Sequence, residues 1–283
     1  MNSVPTVLIT GVSTGIGSAA AELLLASGWR VYGSVRQAGD AVRHARAHPS
    51  LFYELVFDLG DSTARKAAVA KIAAAGYPLR ALVNNAGIAV NGPLETLTEA
   101  DVRRQFEVNV FGTLALTQSC LPLLRQAQSL GESPVRIVNI SSVSGLLSSP
   151  FTSLYSASKF AIESLTDGLR RELMPFGIDA VSVAPGPVKT PIWQKAREQT
   201  EAYTETPYSF ILEKLPAYLA RTEATAIPAA KVAAVIRSVL ESKRAPAHQL
   251  VMRRAWFYGL LPHLPKRWID HLVWRNINAG RRY

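Results

Sequence analysis

The sequence predicts an α/β fold, a parallel sheet with helices on both faces. Three observations point there. Short apolar runs alternate with longer helical runs from Val4 through Ile140. The first apolar run leads through a glycine-rich turn directly into a helix. The chain has 283 residues of 48% hydrophobic composition, enough for one such domain, with no internal repeat and no low-complexity stretch. The domain is expected to span residues 1–252, with 253–283 as a basic, aromatic C-terminal extension.

Val4 to Thr10 reads as a short buried strand. It enters Thr10-Gly11-Val12-Ser13-Thr14-Gly15-Ile16-Gly17, followed by the Ala- and Leu-rich helix from Ser18 to Leu25. Strand, glycine turn and helix together aim backbone N–H groups at a phosphate. The glycines permit the tight turn and a close approach. A tight turn with nothing bound would show the same spacing. Trp29 to Arg36 is the second strand. An acidic residue at its end would bind the ribose hydroxyls of NAD. Val35 and then Arg36 stand there instead. A guanidinium suits a 2′-phosphate, so NADP(H) is expected, with Ser13 adding a hydroxyl contact. The alternative is that Arg36 is a solvated strand-end residue that only stacks on adenine.

Tyr53 to Phe57 forms the third strand, ending at Asp58, and Ala81 to Asn84 the fourth. Residues 98–128 read as two linked helices, broken before the second by Val108-Asn109. The second, Phe111 to Gln128, is apolar on more than one face and is expected to be buried, against another subunit in one reading. Val135 to Ile140 is the fifth strand. The next helix carries Tyr155 and runs toward Met174, where Pro175-Phe176-Gly177 stops it. Ile178 to Ala184 is the sixth strand, and Gln249-Leu250-Val251 belongs to a seventh, at the edge.

Tyr155 and Lys159 lie four apart and share a helix face. A free tyrosine, with a pKa of about 10, is a poor base at neutral pH. A fixed ammonium beside it stabilises the phenolate and lowers that value. Ser142, thirteen positions upstream, is placed to hydrogen-bond the oxygen that gains or loses a proton. By itself the pair is also a common surface feature.

Together these residues resemble the short-chain dehydrogenase/reductase family over roughly residues 4–252. Five motifs match in order: Thr10-Gly11-x-x-x-Gly15-Ile16-Gly17, Asn84-Asn85-Ala86-Gly87, Asn109-Val110-Phe111-Gly112, Ser142 before Tyr155-x-x-x-Lys159, and Pro185-Gly186. The resemblance implies a Rossmann-type doubly wound, seven-stranded parallel sheet in a single domain. It implies a catalytic tetrad of Asn109, Ser142, Tyr155 and Lys159. In the family the tyrosine is the acid/base and the serine orients the substrate oxygen. The lysine holds the nicotinamide ribose and lowers the tyrosine pKa, and the asparagine positions a water linking lysine to solvent. The family spacing selects Ser142 over Ser141, which supports the site, and over Ser144.

Cofactor-binding positions implied by the resemblance are Gly11, Ser13, Thr14, Gly15, Ile16, Gly17, Arg36, Asp58, Leu59, Asn85, Ala86, Gly87, Tyr155, Lys159, Pro185, Gly186, Val188 and Thr190. Asp58 matches the contact to the adenine amino group, and Thr190 the contact to the nicotinamide carboxamide. The expected activity is that of an NADP(H)-dependent oxidoreductase interconverting a secondary alcohol and a ketone or aldehyde. The pattern is similar to hydroxysteroid, retinol and 3-hydroxybutyrate dehydrogenases. A homodimer or homotetramer is the family expectation. A non-catalytic NADP(H)-binding regulator is the alternative.

Residues 187–227 interrupt the strand–helix pattern, where the family places its substrate lid. Trp193, Tyr203, Tyr208, Phe210 and Tyr218 there either line an apolar pocket or pack the lid on the body. The substrate is expected to be a hydrophobic, steroid-, retinoid- or acyl-like alcohol or ketone.

The formal charge is +10. No nucleic-acid motif accompanies it, which argues against a nucleic-acid partner. Residues 253–283 hold seven Lys/Arg against Asp270 alone, and three of the chain's five tryptophans. That composition suits a helix lying on anionic lipid. It equally suits a tail folded over the substrate mouth or a neighbouring subunit. No run of 18 apolar residues and no signal peptide is read, so a cytoplasmic location is expected, with peripheral membrane contact as the variant. Cys120 has no partner for an internal disulfide and reads as inert core. His263 and His271 lack partnered metal-ligand spacing, so no metal is expected.

Overall fold

The computed structural model describes residues 4–190, 203, 205–212 and 214–277. The strands in chain order are β1 (Thr6–Ile9), β2 (Arg30–Val35), β3 (Phe52–Val56), β4 (Leu79–Asn84), β5 (Val135–Ile140), β6 (Ile178–Pro185), β7 (Val188–Lys189), β8 (Ile227–Pro228) and β9 (His248–Val251). Seven form one sheet in the order β3-β2-β1-β4-β5-β6-β9. Every neighbouring pair in it is parallel. This is the expected doubly wound sheet. Its order reverses between β1 and β4, and that switch point opens a crevice at the carboxyl ends of the strands.

Alternation along β1 divides the core in two. Val7 and Ile9 pack with Leu24 of α1 (Gly15–Ala26) on one face. Leu8 packs with Ile72, Leu116 and Leu124 on the other. Successive side chains of a strand point to opposite faces, so a sheet covered on both sides needs apolar residues at consecutive positions. After α1 come α2 (Val42–Ala47), α3 (Ser62–Ala74), α4 (Glu99–Phe106), α5 (Thr113–Ser129) and α6 (Ser153–Leu173). Ile72 belongs to α3, and Leu116 and Leu124 to α5.

The expected break at Val108-Asn109 is not a break. Residues Glu107–Gly112 continue the helix as a π-helical stretch joining α4 to α5. Such wide turns admit an extra residue and recur at functional sites. Gly112 is pressed against the body here: a Cβ on it would lie 2.5 Å from the Leu59 carbonyl oxygen. Within the single chain α5 is buried along one face. Thr113, Leu116, Thr117, Cys120, Leu124 and Ala127 form one buried stripe, and Phe111 is exposed. Burial raises the Cys120 thiol to about 12, which makes it inert at neutral pH.

β7 pairs with β8 and closes the base of the insertion. Between them, among the described residues, lie α7 (Ser209–Leu212) and α8 (Leu215–Ala224). Then α9 (Ala229–Glu241) packs against α1. Past β9 the chain forms α10 (Ala255–Leu260) and α11 (Lys266–Ile277). Among the described residues no helix is long and apolar enough to cross a membrane.

Candidate active site

The glycine turn leaves β1 and opens α1 at the switch point. Gly11 (φ 72°) and Gly15 (φ 62°) occupy the left-handed region that favours glycine. A Cβ on Gly17 would fall 2.2 Å from the Gly11 carbonyl oxygen and 2.4 Å from Asn85 Nδ2. A Cβ on Gly15 would meet Thr190 Cγ2 at 3.1 Å. Thr14 precedes α1 without a side-chain capping bond, leaving the first-turn N–H groups for another acceptor. The turn is held from below by the β4 loop. Thr10 Oγ1 accepts from the Asn85 and Ala86 N–H groups, both at 2.9 Å. Asn85 Nδ2 donates to the carbonyls of Thr10 and Gly11. The Gly11 N–H donates to Ser34 Oγ at 3.0 Å, tying the turn to β2. This glycine cradle, closed to any side chain at Gly17, fits the pyrophosphate of a dinucleotide.

Arg36 is exposed just past β2, and Ser13 is half-buried in the turn. Asp58 is exposed past β3, its Oδ1 accepting from the Gly60 N–H at 2.8 Å. Leu59 lies in the core, and its carbonyl accepts from the buried Arg65 guanidinium. Pro185 ends β6, and the Gly186 N–H donates to the Val251 carbonyl at 3.1 Å. Val188 is buried in β7 and Thr190 sits over Gly15.

Ser142 follows β5 and Tyr155 opens α6. Ser142 Oγ accepts from the Ser144 N–H at 3.1 Å, and its hydroxyl is near enough to the Tyr155 phenol to favour the phenolate. Lys159 is 6% exposed; its Nζ donates to the Ile140 carbonyl at 2.8 Å and stands 5.7 Å from the Tyr155 ring centroid. Burial lowers the Lys159 ammonium to about 8, against the raising effect of the Glu163 carboxylate. The Tyr155 phenol is held above its ordinary value: burial raises it and the Ser142 bond opposes. The lowering expected from Lys159 is not seen: burial disfavours the phenolate more than the Ser142 hydroxyl favours it.

Asn109, in the π-helical stretch, is buried and fully engaged. Its Oδ1 accepts from the Ile88 N–H at 2.8 Å, and its Nδ2 donates to the Ile88 carbonyl and to Ser158 Oγ. A Cβ on Gly87 would come within 3.1 Å of Asn109 Oδ1. Ser158 Oγ donates in turn to the Tyr155 carbonyl at 2.7 Å. One run of contacts therefore joins the glycine turn, the Asn85-Ala86-Gly87 loop, Asn109, Ser158 and the Tyr155 backbone. Gln105 and Ser158 in this network were not expected from sequence. Gln105, fully buried, donates to the Ile88 carbonyl and to Ser158, and accepts from the Val90 N–H.

Glu163 was missed as well, although it lies four residues past Lys159 on the same face. Its Oε1 accepts from Ser182 Oγ at 2.7 Å and lies 3.6 Å from His248 Nε2. Burial raises the Glu163 carboxyl, but the polar groups of His248, Ser141 and Ser182 beside it, with the His248 charge, bring it below its ordinary value. Ser141 is buried on the Glu163 side of β5, and Ser142 lies beside the Tyr155 phenol.

The insertion packs on the loop between Ser142 and Tyr155. Tyr208 meets Phe151 edge-on at 5.7 Å, and the Tyr203 ring covers Gly92. Phe210 is exposed, and Trp193 lies outside the described residues. A cavity of about 160 Å³ lies between the loop, the insertion and the C-terminal helices.

A doubly wound sheet with a glycine cradle at its switch point and a Ser–Tyr–Lys group beside it defines an NAD(P)-dependent oxidoreductase. The family model described as short chain dehydrogenase matches residues 5–201. The chain is 36% identical to an NADPH-dependent 3-dehydrocapnine reductase of Ornithobacterium rhinotracheale, over 95% of this chain and 96% of that protein. It is 35% identical to a 3-ketodihydrosphingosine reductase of Bacteroides thetaiotaomicron, over 65% of this chain and 64% of that protein. A solved short-chain dehydrogenase from Streptomyces avermitilis superposes with a TM-score of 0.78 at 30% identity, covering 99% of each chain. The chain belongs to the short-chain dehydrogenase family, and it acts on small molecules.

Proposed function

We propose that the chain is an NADPH-dependent reductase of a ketone carried on a long apolar chain, with Tyr155 giving the proton. The observation that carries this reading is the apolar cavity beside the catalytic loop. Leu147 and Phe151 line it from the loop, Ile211 and Tyr218 from the insertion, and Leu261 and Ile269 from the C-terminal segment. The names of the two relatives specify a 3-dehydro and a 3-keto substrate, which supports a 3-oxo group here. Arg36 beside Val35, with no acid at the end of β2, supports NADPH over NADH. So does the coenzyme in the name of the O. rhinotracheale relative.

The glycine turn, Arg36, the Asn85-Ala86-Gly87 loop, Lys159 and Thr190 would hold the dinucleotide, which supplies the hydride when bound. The chain's own part is the proton. A phenol held above its ordinary value is protonated at neutral pH, which suits a donor in carbonyl reduction. The Ser142 hydroxyl stands beside the Tyr155 phenol and would donate to the substrate oxygen as it develops charge. The Lys159 ammonium, at about 8, is about nine-tenths charged at pH 7 and can replace the proton that the phenol gives up. Asn109 holds the loop and, through Ser158, the Tyr155 backbone. The proposed lid is the insertion between β7 and β8, whose aromatics both pack on the body and wall the cavity.

The reading is tested with a homologous series of 3-oxo compounds and NADPH. Each methylene that enters the cavity contributes about 0.8 kcal/mol. The value of kcat/KM is expected to rise about fourfold per methylene until the cavity is filled. Equal kcat/KM for the shortest and longest members would reject the apolar-chain substrate.

A further inference from the structure

The two helices past β9 carry opposite characters on opposite sides. On α11, Ile269, Leu272 and Val273 line the cavity, at the i, i+3, i+4 spacing of one face. Trp268, Trp274, Arg267 and Arg275 lie on the other side, all exposed, with Trp268 at 64%. The α10 segment repeats the division. Tyr258 and Leu261 turn to the cavity, while Trp256 at 72% and Leu260 at 56% turn to solvent. Large aromatics so exposed mark an interaction surface rather than ordinary surface scatter.

We propose that α10 and α11 form a docking face for an anionic lipid surface, set back to back with the cavity. The apolar chain of the substrate then passes from the bilayer beneath the same two helices. The handover rests on the substrate reading above; the docking face does not. Charge decides the occupant. Residues 253–277 hold Arg253, Arg254, Lys266, Arg267 and Arg275 against Asp270 alone. Arg267 and Asp270 approach to 3.7 Å at the surface, an exposed pair that leaves the balance strongly positive. A second copy of the chain would present the same positive charge to itself and be repelled. Anionic headgroups neutralise it, while tryptophans settle at the level where apolar and polar layers meet.

The test is cosedimentation of the full chain with phosphatidylcholine vesicles, with and without phosphatidylglycerol. Sedimentation is expected with the anionic vesicles only, and reversal by high salt. Arg267→Gln with Arg275→Gln is expected to weaken binding roughly thirty-fold, at about one charge contact each. Trp256→Ser with Trp268→Ser is expected to abolish it, with the melting temperature and the reduction of a soluble short-chain ketone unchanged. Reduction of a vesicle-embedded 3-oxo compound is expected to slow in both double variants. A chain that stays in the supernatant with anionic vesicles overturns the docking face. So does a dimer that the tryptophan variant dissolves in the absence of lipid binding. Vesicle binding without turnover of any long-chain 3-oxo compound leaves the docking face standing and rejects the substrate reading.

Discussion

Tyr155→Phe is expected to lower kcat for carbonyl reduction by about a thousandfold, the scale of losing a positioned general acid. Nucleotide affinity is expected to stay within about threefold, because only one oxygen is removed. The contacts that hold the surroundings do not use it. Lys159 keeps its bond to the Ile140 carbonyl, and Ser158 bonds the Tyr155 main chain rather than its phenol. The ring continues to fill its place at the start of α6. Steady-state reduction and nucleotide-quenched fluorescence, measured on the same preparation, separate the two effects. A variant that retains wild-type kcat would remove Tyr155 from the proton step.

Arg36→Asp is expected to reverse coenzyme preference. The guanidinium is exposed past β2, where a 2′-phosphate would lie, and no acid precedes it. Paired charge-assisted bonds to a phosphate contribute about 1.5–3 kcal/mol. Replacing them by like-charge repulsion is expected to cost NADPH at least about a hundredfold in kcat/KM. The new carboxylate can accept from ribose hydroxyls, so NADH is expected to hold or gain. Stabilisation against thermal unfolding by each coenzyme gives the same comparison without turnover. An unchanged NADPH-to-NADH ratio in both measurements would leave Arg36 as a solvated strand end.

The parts legible in the sequence are those written over short spacings. The glycine turn, the four-residue step from Tyr155 to Lys159 and the apolar run of β5 each declare themselves within a dozen residues. The network behind them does not. Gln105 and Ser158 meet across 53 positions, and Asn84 donates to Asn139 across 55, in the middle of the sheet. Polar residues at such positions read as exposed until the topology brings them together. The π-helical stretch escaped for a related reason. Its residues look like a helix end, and the close packing of Gly112 on the Leu59 carbonyl oxygen emerges only in the fold. In the C-terminal segment composition showed aromatics and cations, but not which of them turn inward to the cavity. The pKa of Tyr155 was the opposite of expectation, since spacing shows the nearby cation and not the desolvation.

In the proposed reaction the buried Lys159 ammonium stays charged at neutral pH and keeps the phenol supplied with protons. The most direct measurement is the pH dependence of kcat for reduction, in the wild-type chain and in Glu163→Gln. Lys159 is charged below about 8 and neutral above it, so wild-type reduction is expected to fall as pH rises through about 8. The Glu163 carboxylate raises the Lys159 value, and glutamine keeps its shape without its charge. The fall in Glu163→Gln is therefore expected at lower pH. A wild-type profile flat to about pH 10, or one that Glu163→Gln leaves in place, would contradict the account.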